Sequence, residues 1–127
     1  MSDDPAFLSL EQVEAIHRLA LELHGGQEGL RDPAGLESAV MHPLNIWFYG
    51  QGDLFDMAAA YAFHIAQSQA FLDGNKRAAM GAALTFLEGN GVVIPEATGE
   101  LYGALIGIAE RRVSKGDLAA LFRRLAS

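Results

Sequence analysis

Apolar residues recur at helical spacing along almost the whole 127-residue chain, and this periodicity restricts the fold more than any other feature. No run reaches about 18 apolar residues, so no helix is predicted to cross a membrane. Cysteine is absent, which excludes disulfide frameworks and cysteine-ligated metal sites. The sequence therefore predicts an all-α fold, a compact bundle of about six helices, and the chain length predicts a single domain over residues 1–127.

Helix-capping residues and glycines divide the chain into the predicted helices. These begin at Ser9, Asp32, Asp53, about Asn75, Thr98 and Ser114. The second helix is predicted to end near Pro43, and residues 44–52 then form an aromatic connection punctuated by glycine. Residues 92–94 are too few for more than a small extended segment. The alanines and glycines of the third and fourth helices predict close packing at the centre of the bundle.

The charge distribution limits the partners of the chain. Nine Lys and Arg against sixteen Asp and Glu give a net charge of −7, so DNA, RNA and anionic membranes are poor partners. Residues 1–110 hold four basic and fifteen acidic residues, whereas residues 111–127 hold five basic residues and one acidic. Lys76 and Arg77 are the only adjacent bases in the acidic part, which makes them the first candidates for an anion site. The acidic N-terminus lacks the pattern of a signal peptide, so a cytoplasmic location is expected.

Residues 69–77, Gln-Ala-Phe-Leu-Asp-Gly-Asn-Lys-Arg, lie between the third and fourth predicted helices and carry polar groups for such a site. A helix N-terminus offers unpaired N–H groups and a partial positive charge, which together bind anions. The candidate phosphate-binding residues are Gly74, Asn75, Lys76 and Arg77. Asp73 supplies a carboxylate of the kind that holds Mg²⁺ together with phosphates. The alternative is that Asp73 only caps the fourth helix and that Lys76 and Arg77 are solvated first-turn residues.

The same segment resembles the signature loop of the Fic/Doc family, whose usual form is His-Pro-Phe-x-Asp/Glu-Gly-Asn-Lys/Gly-Arg. Residues 61–66, Tyr-Ala-Phe-His-Ile-Ala, and residues 77–92 are similar to the flanks of this loop in Doc-type members. Upstream, residues 24–39 resemble the N-terminal segment of that type. The likeness covers about residues 8–125, and the Lys76 position, the short chain and the N-terminal segment favour the Doc type over the Fic type.

The resemblance implies a helical Fic/Doc-like bundle in which Phe71 anchors the loop, Asp73 holds the metal and residues 74–77 cradle the phosphates of ATP. Fic proteins transfer AMP from ATP to a target hydroxyl. Doc-type members bind the nucleotide reversed and transfer its γ-phosphate to elongation factor Tu. They are bacterial toxins, each held off by a separate antitoxin whose C-terminal segment folds into a groove on the toxin. The inhibitory Ser/Thr-x-x-x-Glu-Gly/Asn motif of many Fic proteins is not found in this sequence, so a separate antitoxin is the expected inhibitor.

The departure from the family pattern is Gln69, which falls where the family has its catalytic histidine. That histidine takes the proton of the target hydroxyl, a contribution typically worth about 10²–10⁴-fold in rate. A glutamine amide is not a base near neutral pH and can only orient the hydroxyl. Three explanations stay open: a histidine replaced deliberately, a natural pseudoenzyme that still binds nucleotide or partner, or weak activity that depends on positioning.

Several other residues are weighed as candidates and interpreted mainly as structural. His64 is considered as a substitute base but is expected to be structural or partly buried, and His17 and His24 are expected at the surface or in packing. Arg31 and Asp32 are expected to be a helix cap and its neighbour. Two groups complete the candidates, the aromatic residues Trp47, Phe48 and Tyr49 and the basic residues Arg111, Arg112, Lys115, Arg123 and Arg124. The aromatic group is interpreted as half core or as a docking edge near the active site, and the basic group as a solvated face that could also receive an acidic partner.

The leading hypothesis is a Doc-type toxin that binds ATP and Mg²⁺ and phosphorylates a translation factor, with activity impaired by Gln69. Its predicted catalytic residues are Gln69, Asp73, Lys76 and Arg77, and its predicted metal ligand is Asp73. The first alternative is a catalytically silent Fic-fold module that binds nucleotide or antitoxin. The second is an AMP transferase acting on a protein hydroxyl, and the third is a plain helical adaptor.

Overall fold

The six helices predicted from periodicity are present in the computed structural model, which describes residues 4–95 and 99–126. They are α1 (Leu10–His24), α2 (Pro33–Phe48), α3 (Leu54–Ser68), α4 (Asn75–Gly89), α5 (Gly99–Ala109) and α6 (Lys115–Ala126). The described residues contain no β-strand, only an isolated antiparallel bridge between Leu30 and Phe71, and residues 92–94 lie in no regular element. The all-α fold class is therefore confirmed. No helix among the described residues is long and apolar enough to span a membrane.

Polar side chains cap the helix starts where the sequence predicts them. The Ser9 hydroxyl accepts a hydrogen bond from the Gln12 N–H at 3.1 Å, and the Gln12 side chain accepts one from the Ser9 N–H at 2.7 Å. Asp32, Asp53 and Ser114 likewise accept from first-turn N–H groups of α2, α3 and α6. These caps pair backbone donors that a helix leaves open at its start. Thr98, predicted to begin the fifth helix, lies outside the described residues.

The second helix is longer than predicted. It continues through Pro43 to Phe48, so the end expected near Pro43 is wrong, and so is the first half of the connection expected over residues 44–52. A proline inside a helix removes one hydrogen bond and crowds the carbonyl four residues before it. Pro43 is buried on the same face as Leu36 and Val40. The burial of this face against α3 outweighs the lost hydrogen bond.

The third helix lies at the centre of the bundle and contacts α2, α4, α5 and α6. All its residues from Met57 to Ala62 are buried, as expected for a helix that is covered on every side. The facing helix α4 contributes the fully buried alanines Ala78, Ala79, Ala82 and Ala83. Small side chains let two helix axes approach closely. The burial of these alanines therefore confirms the close central packing predicted for the third and fourth helices. The loop between them, residues 69–74, is thus held at both ends by the most buried part of the protein.

Helix α1 covers α4 through a contact that depends on a glycine. A Cβ atom at Gly81 of α4 would lie 2.6 Å from Ile16 Cγ2 of α1, which is closer than two carbon atoms can approach. Isoleucine is β-branched, so this methyl group cannot swing away without a change of rotamer. The missing side chain at Gly81 therefore sets how closely α1 approaches α4.

Gly81→Ala is expected to lower the free energy of unfolding by about 1–3 kcal/mol, because the added methyl overpacks the contact between α1 and α4. Gly103→Ala is the matched control, since Gly103 lies inside α5 with nothing within 4 Å of its Cβ position. That change should raise the free energy of unfolding by about 0.5–1 kcal/mol through helix propensity alone. Urea unfolding followed by circular dichroism measures both values, and equal effects of the two changes would contradict the close contact.

Candidate functional site

The predicted site residues come together in one cleft with a volume of about 370 Å³. It is lined by Gln69, Leu72, Asp73, Gly74, Asn75, Lys76, Arg77 and Tyr102. Two left-handed backbone turns bend the loop around it: Gln69 ends α3 with φ of 51°, and Gly74 precedes α4 with φ of 77°. Glycine adopts this conformation freely, whereas for glutamine it costs about 1–2 kcal/mol. The fold thus places backbone strain at the first residue of the loop.

Phe71 anchors the loop in the core, as the family resemblance implies, with only 2% of its surface exposed. The Asn75 side chain closes the loop over this anchor. Its Oδ1 accepts from the Phe71 N–H at 3.0 Å, and its Nδ2 donates to the Phe71 carbonyl at 2.9 Å. One donor and one acceptor of the amide are therefore used inside the protein, and the backbone N–H and the second amide proton of Asn75 remain for a ligand.

The start of α4 has no side-chain cap from any described residue. Its N-cap residue is Gly74, so the alternative in which Asp73 caps the helix is wrong. The Asp73 carboxylate instead accepts hydrogen bonds from the Gly74 N–H at 3.0 Å and from the Gln27 N–H at 3.3 Å. The first-turn N–H groups and the positive end of the helix dipole are left available to an anion.

Lys76 and Arg77 are exposed, line the cleft and form no ion pair with any carboxylate in residues 4–95 or 99–126. Cations at a helix N-terminus repel its partial positive charge, so an anion bound there relieves that repulsion. The cleft is therefore electropositive although the chain as a whole is acidic. Tyr102 of α5 adds a phenol to the wall, and no sequence signal indicated it, because the apolar pattern of α5 marks only the inward residues.

A short backbone pairing holds the other side of the loop. The Leu72 N–H donates to the Gly29 carbonyl at 3.0 Å, and the Arg31 N–H donates to the Ala70 carbonyl at 2.7 Å. The Arg31 guanidinium donates to the Gln69 carbonyl at 2.8 Å. Arg31 does precede the cap of α2, as predicted, but its link to Gln69 was not predicted. The two residues are 38 positions apart, and local spacing carries no information about such a contact.

His17 of α1 was expected at the surface or in packing; it is a packing residue, and its contact with the loop of the site was not predicted. It is 5% exposed and stacks on Phe71, with ring centroids 3.6 Å apart and planes 8° from parallel. Its Nε2 lies 2.7 Å from the Asp73 carbonyl oxygen, and since that oxygen only accepts, Nε2 carries the proton and donates it. One histidine therefore holds both the anchor and the turn of the loop. Its spacing of four from buried Val13 and Leu21 is the signal that places it inward.

His64 does not line the cleft. It is half-buried, stacks on His42 with ring centroids 3.5 Å apart, and accepts a hydrogen bond from Lys115 Nζ at 3.0 Å. Burial, the neighbouring His42 and the Lys115 charge lower the pKa of His64 to about 4, so its ring is neutral at pH 7. This arrangement agrees with the structural role expected from the sequence.

The aromatic group of Trp47, Phe48 and Tyr49 lies far from the cleft, so its interpretation as a docking edge near the active site is wrong. These residues end α2 shortly before the start of α3, whereas Gln69 follows the end of α3. The 15 residues of α3 separate them, which corresponds to about 22 Å along the helix. Trp47 is partly covered, with 37% of its surface exposed, while Phe48 and Tyr49 are each 74% exposed.

His17→Phe keeps the stacked ring but removes the donor to the Asp73 carbonyl, so we expect the free energy of unfolding to fall by about 1 kcal/mol. The backbone amides of residues 72–76 should exchange hydrogen faster than in the parent chain, because the turn loses its link to α1. His24→Phe, at the exposed end of the same helix, is the matched control and should leave exchange unchanged. Hydrogen–deuterium exchange followed by mass spectrometry measures both, and unchanged exchange at residues 72–76 in His17→Phe would contradict the positioning role.

Comparisons with known proteins identify the family of the chain. The model of the Fic/DOC family matches residues 7–87. The chain is 32% identical over 119 residues to "Protein kinase doc" of Escherichia phage P1, covering 93% of this chain and 94% of that protein. It is 44% identical over 71 residues to "Toxin Doc" of Mycolicibacterium smegmatis, covering 54% of each chain. The family match and the nearly full-length similarity to the phage protein show that the chain belongs to the Fic/Doc family.

Proposed function

We propose that this chain is a Doc-type toxin that binds ATP in the cleft and transfers its γ-phosphate to a hydroxyl of a translation factor similar to elongation factor Tu. The single observation that carries the proposal is the uncapped start of α4 beside Lys76 and Arg77, within the signature loop of a Fic/Doc family member. The names of the relatives support it, since one is a protein kinase and the other a toxin.

The polyphosphate of ATP fits the donors at the start of α4. The guanidinium of Arg77 can hold two phosphate oxygens at once, and Lys76 adds a compact point charge. The first-turn N–H groups add neutral donors that are fixed before the ligand arrives. Gly74 has a φ of 77°, a backbone conformation in which any other side chain would be strained, so glycine suits the turn that presents these N–H groups.

Asp73 is the residue that would hold Mg²⁺. Its carboxylate is exposed at the cleft, and its hydrogen bonds to two backbone N–H groups leave lone pairs on both oxygens. The part of the chain that the structure describes has no group of three or more His, Asp or Glu side chains that could hold a metal ion. The other ligands would therefore be phosphate oxygens and water. When bound, Mg²⁺ neutralises phosphate charge and eases departure of the leaving group.

In the proposed reaction the target hydroxyl oxygen attacks the γ-phosphorus, the bond to the bridging oxygen breaks, and ADP leaves with that electron pair. The proton of the hydroxyl must pass to a base, and where none stands at position 69 it passes to water or to a phosphate oxygen. Gln69 cannot take it, and within the described part of the chain its amide makes one long contact, in which Nε2 donates to the Ala66 carbonyl at 3.5 Å. We therefore expect transfer by this chain to be impaired, while the positioning of the phosphates is retained.

Gln69→His is expected to raise the rate of label transfer from γ-labelled ATP to elongation factor Tu by about 10²–10⁴-fold over the parent, because imidazole can act as the base. Gln69→Asn is the matched control, since it changes the side chain without adding a base. Gel electrophoresis and autoradiography measure the transfer, and growth arrest on expression of Gln69→His alone would support it. If neither the parent nor Gln69→His labels this target, the catalytic proposal for it is wrong.

The second candidate function is a catalytically silent module that binds nucleotide or antitoxin, and the non-basic amide of Gln69 is the observation that favours it. It predicts nucleotide or antitoxin binding without product, even from Gln69→His after long incubation. ATP labelled at the α-phosphate distinguishes an AMP transferase from a kinase, because an AMP transferase would transfer the α label to the target and a kinase would not.

An apolar groove of about 450 Å³ between α1 and α4 is the proposed docking place for a separate antitoxin. Leu19 and Leu23 lie along it with 54% and 69% of their surfaces exposed. An amphipathic helix of the antitoxin would bury these side chains. Arg77 and Tyr102 line both this groove and the cleft, so a helix seated there would lie directly beside the bound phosphates.

A further inference from the structure

Gln69 lines a second opening besides the cleft. This opening has a volume of about 310 Å³ and is lined by Ala66, Gln67, Gln69, Ile108, Ala109 and Arg111. It continues into a hollow of about 330 Å³ at the turn between α5 and α6, since Gln67, Ile108 and Arg111 line both. We call the two together the Arg111 groove. None of residues 73–77 lines it, so among the residues that the structure describes the groove and the proposed phosphate site share Gln69 alone.

Bases outnumber acids in the Arg111 groove. The charged residues that line it are Arg111, Arg112, Lys115 and Asp117. Arg112 is neutralised by Glu110, with Nε 3.0 Å from the carboxylate. Lys115 bonds to the neutral ring of His64, so it keeps its charge. Arg111 has neither an ion pair nor a side-chain hydrogen bond with any residue in the described ranges 4–95 and 99–126.

Arg111 also has a backbone conformation that favours glycine. Its φ is 62°, at the turn that ends α5, where the Arg111 N–H donates to the Ile108 carbonyl and the Arg112 N–H to the Gly107 carbonyl. Glycine is the usual residue at such a position, because a side chain is strained there. The fold thus keeps a cation that has no partner among the described residues at a strained position near Gln69, which points to a partner outside the chain.

We propose that the Arg111 groove binds an acidic segment of the target protein, and that this segment lies next to the hydroxyl that is modified. The identity of the target as the phosphate acceptor rests on the proposed function. A segment lying in the groove would bring its hydroxyl to Gln69 while the phosphates occupy the cleft. Its carboxylates would pair with Arg111 and Lys115. The cleft is electropositive too, but the phosphates of ATP occupy it, and the acidic remainder of the chain repels such a segment elsewhere, so Arg111 and Lys115 determine where it docks.

Fluorescence anisotropy with two short labelled peptides tests the groove without requiring transfer. One peptide has a central threonine flanked by Glu and Asp, and the other has the same threonine flanked by Lys. The acidic peptide is expected to bind the parent chain at least about tenfold more tightly than the basic one in low salt, and to weaken in high salt. Arg111→Gly should weaken its binding about fivefold, whereas Arg111→Lys should retain it. Arg124→Ala removes the same charge outside the groove and should change little.

Thermal unfolding of the same variants excludes misfolding as the cause of lost binding. Arg111→Gly is expected to raise the Tm by about 4 °C, because glycine adopts a positive φ without strain. Arg111→Lys keeps both the strain and the charge, so its Tm should match that of the parent. A lower Tm for Arg111→Gly would show that the arginine stabilises the turn and would overturn the proposal.

Three further results would each overturn the proposal. They are equal affinity of the parent and Arg111→Gly for the acidic peptide, displacement of that peptide by excess ATP with Mg²⁺, and tighter binding of a single-stranded DNA oligonucleotide than of the peptide.

Failure of the proposed function gives a different combination of results from failure of the groove. If Gln69→His transfers no label but the acidic peptide still binds through Arg111, the catalytic proposal fails and the groove stands. If Gln69→His transfers label and the peptide does not bind, only the groove is rejected.

Discussion

Burial of Phe71 is the contact on which the rest of the site depends. Its ring lies in the core and against the ring of His17, and the Asn75 amide closes the backbone over it. Every polar group of the cleft except Tyr102 belongs to a residue that lies within a few residues of Phe71 in the sequence. The locations of these groups in space are therefore set by packing between α3 and α4 and not by a ligand. Donors fixed in this way need little reorganisation when negative charge arrives or develops.

The charge of the site is a local property that the net charge conceals. The chain carries −7, yet the start of α4 presents open N–H groups and two cations without carboxylate partners in the described residues. At the first residue of the loop, Gln69 adjoins the Arg111 groove, where Arg111 likewise has no ion-pair partner among the described residues. Gln69 thus sits between two electropositive surfaces in a strained backbone conformation. This is where a nucleotide and an acidic acceptor would meet.

Local features of this protein could be predicted from the sequence, and long-range ones could not. The pairing of Ser9 with Gln12 was predictable because the partners are one helical turn apart, and residues 69–77 form one cleft because they are contiguous. The contact of His17 with the Asp73 carbonyl spans 56 positions, so no spacing rule indicates it. Pro43 misled the prediction of α2 because tertiary burial overrides a local helix-breaking preference.

Titration calorimetry of the unmodified chain with ATP and Mg²⁺ tests most directly the central claim that the start of α4 is a phosphate site whatever residue stands at position 69. We predict measurable binding of ATP and a loss of affinity of about tenfold or more in Arg77→Ala. Arg124→Ala should leave the affinity unchanged, because it removes an equal charge at a residue that does not line the cleft. Absence of binding, or equal affinity of the parent and Arg77→Ala, would contradict the claim.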